Sequence, residues 1–158
     1  MYKTSIRYLT SKGYNHYEIS NFAKDGYECA HNHVYWKNMG YVGVWAGAFS
    51  LIDGVRTSNE KDIGKYIDGI NGNKNIKSFR ENLQINQCAS ETVIMSLRLR
   101  RGVSNADFYK RFGYKIEDQF GEQITSLATY GLVSYENEIL KLTEKGLFVA
   151  DTVMTEFI

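Results

Sequence analysis

The residues His31-Asn32-His33-Val34-Tyr35-Trp36 place two imidazoles, a carboxamide, a phenol and an indole within six positions, and the thiol of Cys29 lies just upstream. No other stretch of the chain concentrates so many groups able to ligate, stack and hydrogen-bond. Three chemistries suit them. Cys29-x-His31-x-His33, if extended, would put three metal ligands on one side. Zinc needs four protein ligands, or three and a water, and no second cluster follows to complete a structural site. A single histidine is enough for haem, because the porphyrin supplies four nitrogens and the protein adds one or two axial ligands. His31 is then the candidate iron ligand, with Tyr35 and Trp36 able to stack on a macrocycle. The third reading is architectural: Tyr35 and Trp36 pack in the core and His31 hydrogen-bonds the backbone. Composition alone favours this third reading.

A second candidate lies in Tyr41–Ser50, where Gly43-x-x-x-Gly47-Ala48 interrupts an apolar, strand-like run. Glycine inside such a run marks close approach of another backbone or of a ligand. It is no phosphate loop, which would need a following Lys-Ser/Thr. Glu91 and Arg98, seven apart on one helical face, read as an anchor between that helix and its neighbours. No serine, cysteine or carboxylate stands in a recognisable catalytic arrangement.

The elements that must position these groups follow from periodicity. Tyr2, Ile6 and Leu9 predict a helix over 2–12, stopped by Gly13. A strand is expected near 15–19, a short helix or turn over 30–37, and a strand near 41–45. Asp53-Gly54 between apolar runs signals a two-residue hairpin. Ile63, Tyr66, Ile67 and Ile70 share one face of a helix over 60–70. Residues 73–82 read as a polar linker. Beyond them, Asn86 is expected to cap a helix over 87–101 and Ser104 one ending near 112. A third helix covers 117–130, strands cover 132–135 and 139–142, and Thr143 to Gly146 opens a last helix. That order is a winged helix. Its third helix carries Glu117, Asp118 and Glu122 without lysine or arginine, the wrong charge for a major groove. A partner-docking role is expected in place of DNA binding.

Totals bound the rest. The 158 residues suit one domain or two small ones. A net charge of +1 provides no field to attract nucleic acid or an anionic membrane. No apolar run reaches the ~18 residues of a membrane span, and the start shows no secretion signal. Two cysteines, at 29 and 88, suggest no disulfide framework and a reducing, cytoplasmic setting.

Several motifs in order then resemble one family. Tyr17-Glu18-Ile19-Ser20-Asn21-Phe22-Ala23, Gly26-Tyr27-Glu28-Cys29 and His31-Asn32-x-x-Tyr35-Trp36 resemble the C-terminal part of the oxygen-independent coproporphyrinogen III oxidase-like radical SAM proteins. The likeness is closest to their haem chaperone (HemW-type) branch, whose HNxxYW motif corresponds to His31–Trp36. Tyr41-x-Gly43-x-x-Ala46-Gly47-Ala48-x-Ser50 resembles the family's glycine-rich strand beside the S-adenosylmethionine adenine. Glu91, Leu97-Arg98-Leu99, Gly102-Val103 and Leu142-Thr143-x-x-Gly146 resemble motifs of its C-terminal domain. Trp45 stands where the family usually has glycine and Phe49 where histidine is common; an indole there would narrow the adenine site.

The resemblance implies an α+β chain: a remnant of the last strands and helices of a radical SAM barrel over 1–72, the linker, and a winged-helix-like C-terminal domain over 83–158. The parent would bind a [4Fe-4S] cluster, S-adenosylmethionine and haem. His31, Asn32, Tyr35 and Trp36 would serve haem, with His31 on the iron, and Gly43, Val44, Gly47 and Ala48 would lie beside S-adenosylmethionine. The family's CxxxCxxC motif does not occur in these residues, so this chain alone is expected not to be catalytic, although the parent would be radical SAM oxidoreductase-like. Expected partners are the remainder of the barrel and, through exposed N-terminal strands, a second copy. The alternatives are a fragment of a coproporphyrinogen III oxidase of porphyrin biosynthesis and a free-standing winged-helix docking module.

Overall fold

A computed structural model describes residues 1–158. In chain order the elements are α1 (Tyr2–Ser11), β1 (Asn15–Glu18), β2 (Asn21–Ala23), α2 (Ala30–Trp36), β3 (Phe49–Ile52), β4 (Val55–Asn59), α3 (Ile63–Asn71), β5 (Lys77–Asn82), α4 (Ile85–Leu97), β6 (Val103–Ser104), α5 (Asn105–Phe112), α6 (Ile116–Thr129), β7 (Val133–Glu136), β8 (Ile139–Leu142), a 3-10 turn (Gly146–Val149) and α7 (Ala150–Thr155). The chain divides into two units, residues 1–38 with 89–158 and residues 39–88.

The larger unit holds the main core. Ala89, Val93 and Leu97 of α4 pack with Phe108 of α5, with Ile116, Phe120, Ile124 and Leu127 of α6, and with Val153 and Phe157 at the C-terminus. Each large apolar side chain so buried contributes about 1.5–3 kcal/mol. Ser104 caps α5 by accepting from the Asp107 amide, and Gly113 ends that helix at φ +82. The wing turns at Asn137 and Glu138, both at positive φ, and β8 pairs with β7 on one side and β6 on the other. The order is that of a winged helix, with β6 as a third strand too short to read from periodicity. The Thr143-x-x-Gly146 motif has a physical reason here. Thr143 Oγ1 donates to the Gly131 carbonyl at 2.7 Å and accepts from the Gly146 amide at 3.0 Å. A Cβ on Gly146 would stand 1.9 Å from the Leu132 carbonyl oxygen.

The smaller unit is a three-stranded antiparallel sheet, β3-β4-β5, with α3. Asp53 and Gly54, at φ +49 and +73, make the expected two-residue turn between β3 and β4. Leu51 is its buried large hydrophobic, while Ile63, Ile67 and Ile70 of α3 stay exposed.

Four expectations need correction. Residues 41–45 form no strand: Tyr41 makes one bridge to Leu51, and the glycines and Trp45 bend the chain away. Residues 73–82 contain β5, whose backbone pairs with β4 despite its polar side chains. The α4 helix starts at Ile85, with Gln87 rather than Asn86 satisfying the free Gln84 amide at 2.8 Å, and it ends at Leu97 because residues 98–100 run alongside β1. The last helix is broken at Val149, where φ is −129°. No helix is long and apolar enough to cross a membrane.

Candidate functional site

The segment 30–36 is helical, so residues four apart share a face. His31 and Tyr35 meet edge to face, 5.0 Å between centroids. His33 falls on another side of the helix, so the alternating Cys29, His31, His33 set does not converge, and no three ligating side chains anywhere are grouped to hold a metal. The three imidazoles differ in what surrounds them. His16 Nε2 is 3.0 Å from the Ile19 carbonyl and its ring stacks on Phe22. His33 Nε2 is 2.7 Å from Glu28 Oε2. His31 is exposed and its side chain takes part in no hydrogen bond, so its ring nitrogens are open.

Trp36 behaves differently from His31. It packs on Tyr17, Ala23 and Leu99, and the Arg98 guanidinium lies over its ring at 4.4 Å. Arg98 Nη2 is 2.7 Å from Glu18 Oε1, and Glu18 is fully buried. The other Glu18 oxygen accepts from the Ser20 amide at 2.9 Å and from Asn21 Nδ2 at 2.5 Å. Around this pair the backbone is stitched: the Ile19 amide donates to the Arg98 carbonyl at 3.0 Å and the Arg100 amide to the Tyr17 carbonyl at 2.9 Å. Three motifs distant in sequence, Tyr17–Ala23, His31–Trp36 and Leu97–Leu99, therefore meet at one node.

The same side of the winged-helix domain holds the end of α2. Ser96 Oγ donates to the Trp36 carbonyl at 3.2 Å. Arg111 donates to the carbonyls of Lys37 and Asn38 at 3.1 and 2.8 Å. Asn38, itself buried, donates to Thr92 Oγ1 at 3.3 Å. Ser96 and Arg111 satisfy carbonyls that a helix end leaves open, and the Arg111 cation suits the negative end of the dipole. The helix is clamped at its C-terminal end while His31 near its start stays open.

In the smaller unit, Gly43 and Gly47 serve backbone geometry. A Cβ on Gly43 would lie 1.9 Å from the Phe49 carbonyl oxygen, and Gly47 adopts φ +72. Buried Asn59 holds this loop by donating to the carbonyls of Gly43 and Trp45 at 3.3 and 2.8 Å, while Lys77 Nζ donates to its Oδ1 at 2.7 Å. Val44 is exposed and Ala48 half-buried.

Comparison with known proteins accords with this geometry. Residues 85–149 match the family described as the HemN C-terminal domain. Over its whole length the chain is 33% identical to the heme chaperone HemW of Lactococcus lactis subsp. lactis (strain IL1403), covering 41% of that protein. It is 32% identical to the heme chaperone HemW of Bacillus subtilis (strain 168), covering 42%. The fold superposes on coproporphyrinogen III oxidase (HemN) from Escherichia coli, a radical SAM enzyme, with a TM-score of 0.75 at 20% identity, over 98% of this chain and 39% of that one. The chain is thus similar to the HemN and HemW proteins and carries a match to the HemN C-terminal domain over residues 85–149. It corresponds to the C-terminal part of those proteins and spans about two fifths of their length.

Within this HemN/HemW frame, Trp45 acquires a meaning. It sits at φ +98, a region that favours glycine, where the resemblance expects glycine. Iron–sulfur clusters need several cysteine ligands. This chain offers exposed Cys29 and half-buried Cys88 with no third ligating group beside either, so its own residues do not fit such a cluster.

The acidic helix α6 is committed to the wing. Tyr135 donates to Glu117 Oε2 at 2.5 Å, and Asn105 Nδ2 lies 3.0 Å from the same oxygen. Burial pushes the Glu117 carboxyl up, but donation from Tyr135, the backbone and Asn105, with Lys115 nearby, outweighs it and holds the pKa below the usual carboxylate value. Burial and the Glu117 charge push the Tyr135 phenol well above its ordinary value.

Sequence reasoning missed several of these roles. In the strand near 15–19, Tyr17 and Ile19 alternate with His16, Glu18 and Ser20, a pattern that puts Glu18 on the solvent side, yet it is fully buried, and its partner Arg98 is eighty residues on. Arg111 and Asn59 sit in ordinary polar surroundings. Only the family motifs, which include Glu18 and Arg98, carried a signal; Arg111 and Asn59 carried none.

Proposed function

We propose that this chain is the C-terminal part of a cytoplasmic haem chaperone whose parent binds haem as cargo and passes it to acceptor proteins. His31 is the haem-iron ligand, and the observation that carries this is its open imidazole on a helix held by four residues of the winged-helix domain. A neutral imidazole nitrogen supplies one axial bond. Tyr35, edge-on at 5.0 Å, limits rotation of the ring. Trp36 anchors the helix through Arg98 rather than lining the cargo, and Asn32, four residues before it, is half-buried on the same side. An exposed single ligand lets an acceptor offer its own ligand and take the iron by exchange. The Gly43–Ala48 loop lies beside S-adenosylmethionine in the parent, and the [4Fe-4S] cluster belongs to the parent's remaining residues.

Titrating haem into the chain and into His31→Ala tests this by the Soret band. The wild type should shift the band with saturation, His31→Ala should abolish the shift, and His33→Ala, whose ring is engaged by Glu28, should retain it. An unshifted band with the wild type, or equal shifts in all three, overturns the assignment.

The partner in the parent is the rest of its barrel. Its docking face includes Ile63, Ile67 and Ile70 on α3, which are 58%, 49% and 52% exposed, too apolar a stripe for a helix meant to face water. The relatives carry about three fifths of their length beyond what this chain matches. In isolation the same face, with the free edge of β2, favours self-association.

A further inference from the structure

Between the turn after α4, the start of α5 and the residue after α2 lies a cavity of about 270 Å3 that none of His31, Asn32, Tyr35 or Trp36 lines. Its floor is largely apolar: Ile139 of the wing is its exposed apolar side chain, Leu99 and Phe108 lie buried beneath at 2% and 1% exposure, and Thr92, Ser96 and Ser104 add hydroxyls to the lining. Its rim is cationic, with Lys37, Arg101 and Arg111 against one acid, Asp107. Arg111 is already engaged with the carbonyls of Lys37 and Asn38. Arg100 faces Glu144 at 3.7 Å. Lys37 and Arg101 have no acidic partner within ion-pair distance. The turn that presents Arg101 is rigidly built. The Gly102 amide donates to the Leu99 carbonyl at 2.8 Å. Gly102 adopts φ +72, and a Cβ there would meet the Leu140 carbonyl oxygen at 2.1 Å.

We propose that this cavity binds a small amphipathic anion: an apolar body resting against Ile139 of the wing, with its carboxylate between Lys37 and Arg101. Two uncompensated cations over an apolar floor make a poor site for water or for a neutral hydrocarbon, and an anion relieves their mutual repulsion. The volume suits about nine heavy atoms, counting roughly 30 Å3 for each water-sized group. The site is independent of the haem reading.

The probe is hexanoate, titrated into the full chain and followed by amide resonances in a proton–nitrogen correlation spectrum, with hexan-1-ol and inorganic phosphate as separate arms. Hexanoate should give saturable shifts at Gly102, Val103, Ser104 and Phe108, hexanol none at the same concentration, and phosphate weaker ones. The Lys37→Gln, Arg101→Gln double variant changes exposed side chains only. It should keep the remaining spectrum and weaken hexanoate about tenfold, the loss of two partly screened charge contacts. Absence of hexanoate shifts, equal binding of hexanol, or undiminished affinity in the double variant overturns the proposal. Phosphate binding without hexanoate binding overturns it too, since the apolar floor would then play no part.

Discussion

Replacing Arg98 by alanine tests whether the node under α2 organises the site. Glu18 is fully buried, and Arg98 is the cation beside it, at 2.7 Å. Removing one member of a buried pair costs ~3–5 kcal/mol because the other charge stays behind. Two facts place this case at the lower end: Glu18 keeps its bonds from Ser20 and Asn21, and the Arg98 side chain is 25% exposed. The stack on Trp36 adds about 0.5–1 kcal/mol. The expected loss is about 3–4 kcal/mol, which lowers a urea midpoint by roughly 1.5–2 M at a slope near 2 kcal/mol/M. Trp36 can report it directly. In a Trp45→Phe background it is the sole indole, and loss of the guanidinium above its ring should move its emission toward longer wavelength and increase quenching by acrylamide. Glu18→Gln, Arg98→Met and the double variant complete a cycle, with an expected coupling of about 2 kcal/mol, within the range for contacting residues. A loss under about 1 kcal/mol, no coupling and unchanged Trp36 emission would refute the idea that this pair holds α2.

Two further substitutions probe the winged-helix domain. Gly146→Ala forces a Cβ toward the Leu132 carbonyl and should cost about 2–3 kcal/mol, whereas Gly113→Ala, left-handed but with open space around it, should cost about 1 kcal/mol; urea denaturation yielding the reverse order would contradict the packing described. Tyr135→Phe should cost about 1–3 kcal/mol at neutral pH and change both pH limbs. The Glu117 pKa is lowered in the fold, so its contribution is present above the unfolded value of 4.5 and is lost as pH falls. The Tyr135 pKa is raised, so wild-type stability also falls as pH rises past 10.0. The variant should have a shallower acid limb and lack the tyrosine's share of the alkaline one, and stability curves parallel to wild type from pH 2 to 11 would contradict this.

Local chemistry carried much of the fold into the sequence. The Asp53-Gly54 turn, the Ser104 cap and the winged-helix order each depend on residues within a few positions of one another, so short patterns reveal them. The strand expected near 41–45 does not form, for a related reason. Its composition suits a strand, but Asn59 and the Phe49 backbone, both outside the segment, hold it as a loop. The strand β5 was missed because its pairing with β4, not its side chains, makes it a strand.

The family motifs located the candidate site, and the order of elements established the class of fold. Tertiary structure alone decided the work of each motif residue. It showed which of three imidazoles is open, that Trp36 is an anchor under Arg98, and that Glu18 is buried where an alternating strand placed it in water. The reason is that solvent access and charge pairing depend on which distant segments come together, such as residue 18 with 98 and residue 38 with 111. A sequence read in short windows contains the groups but not those distances.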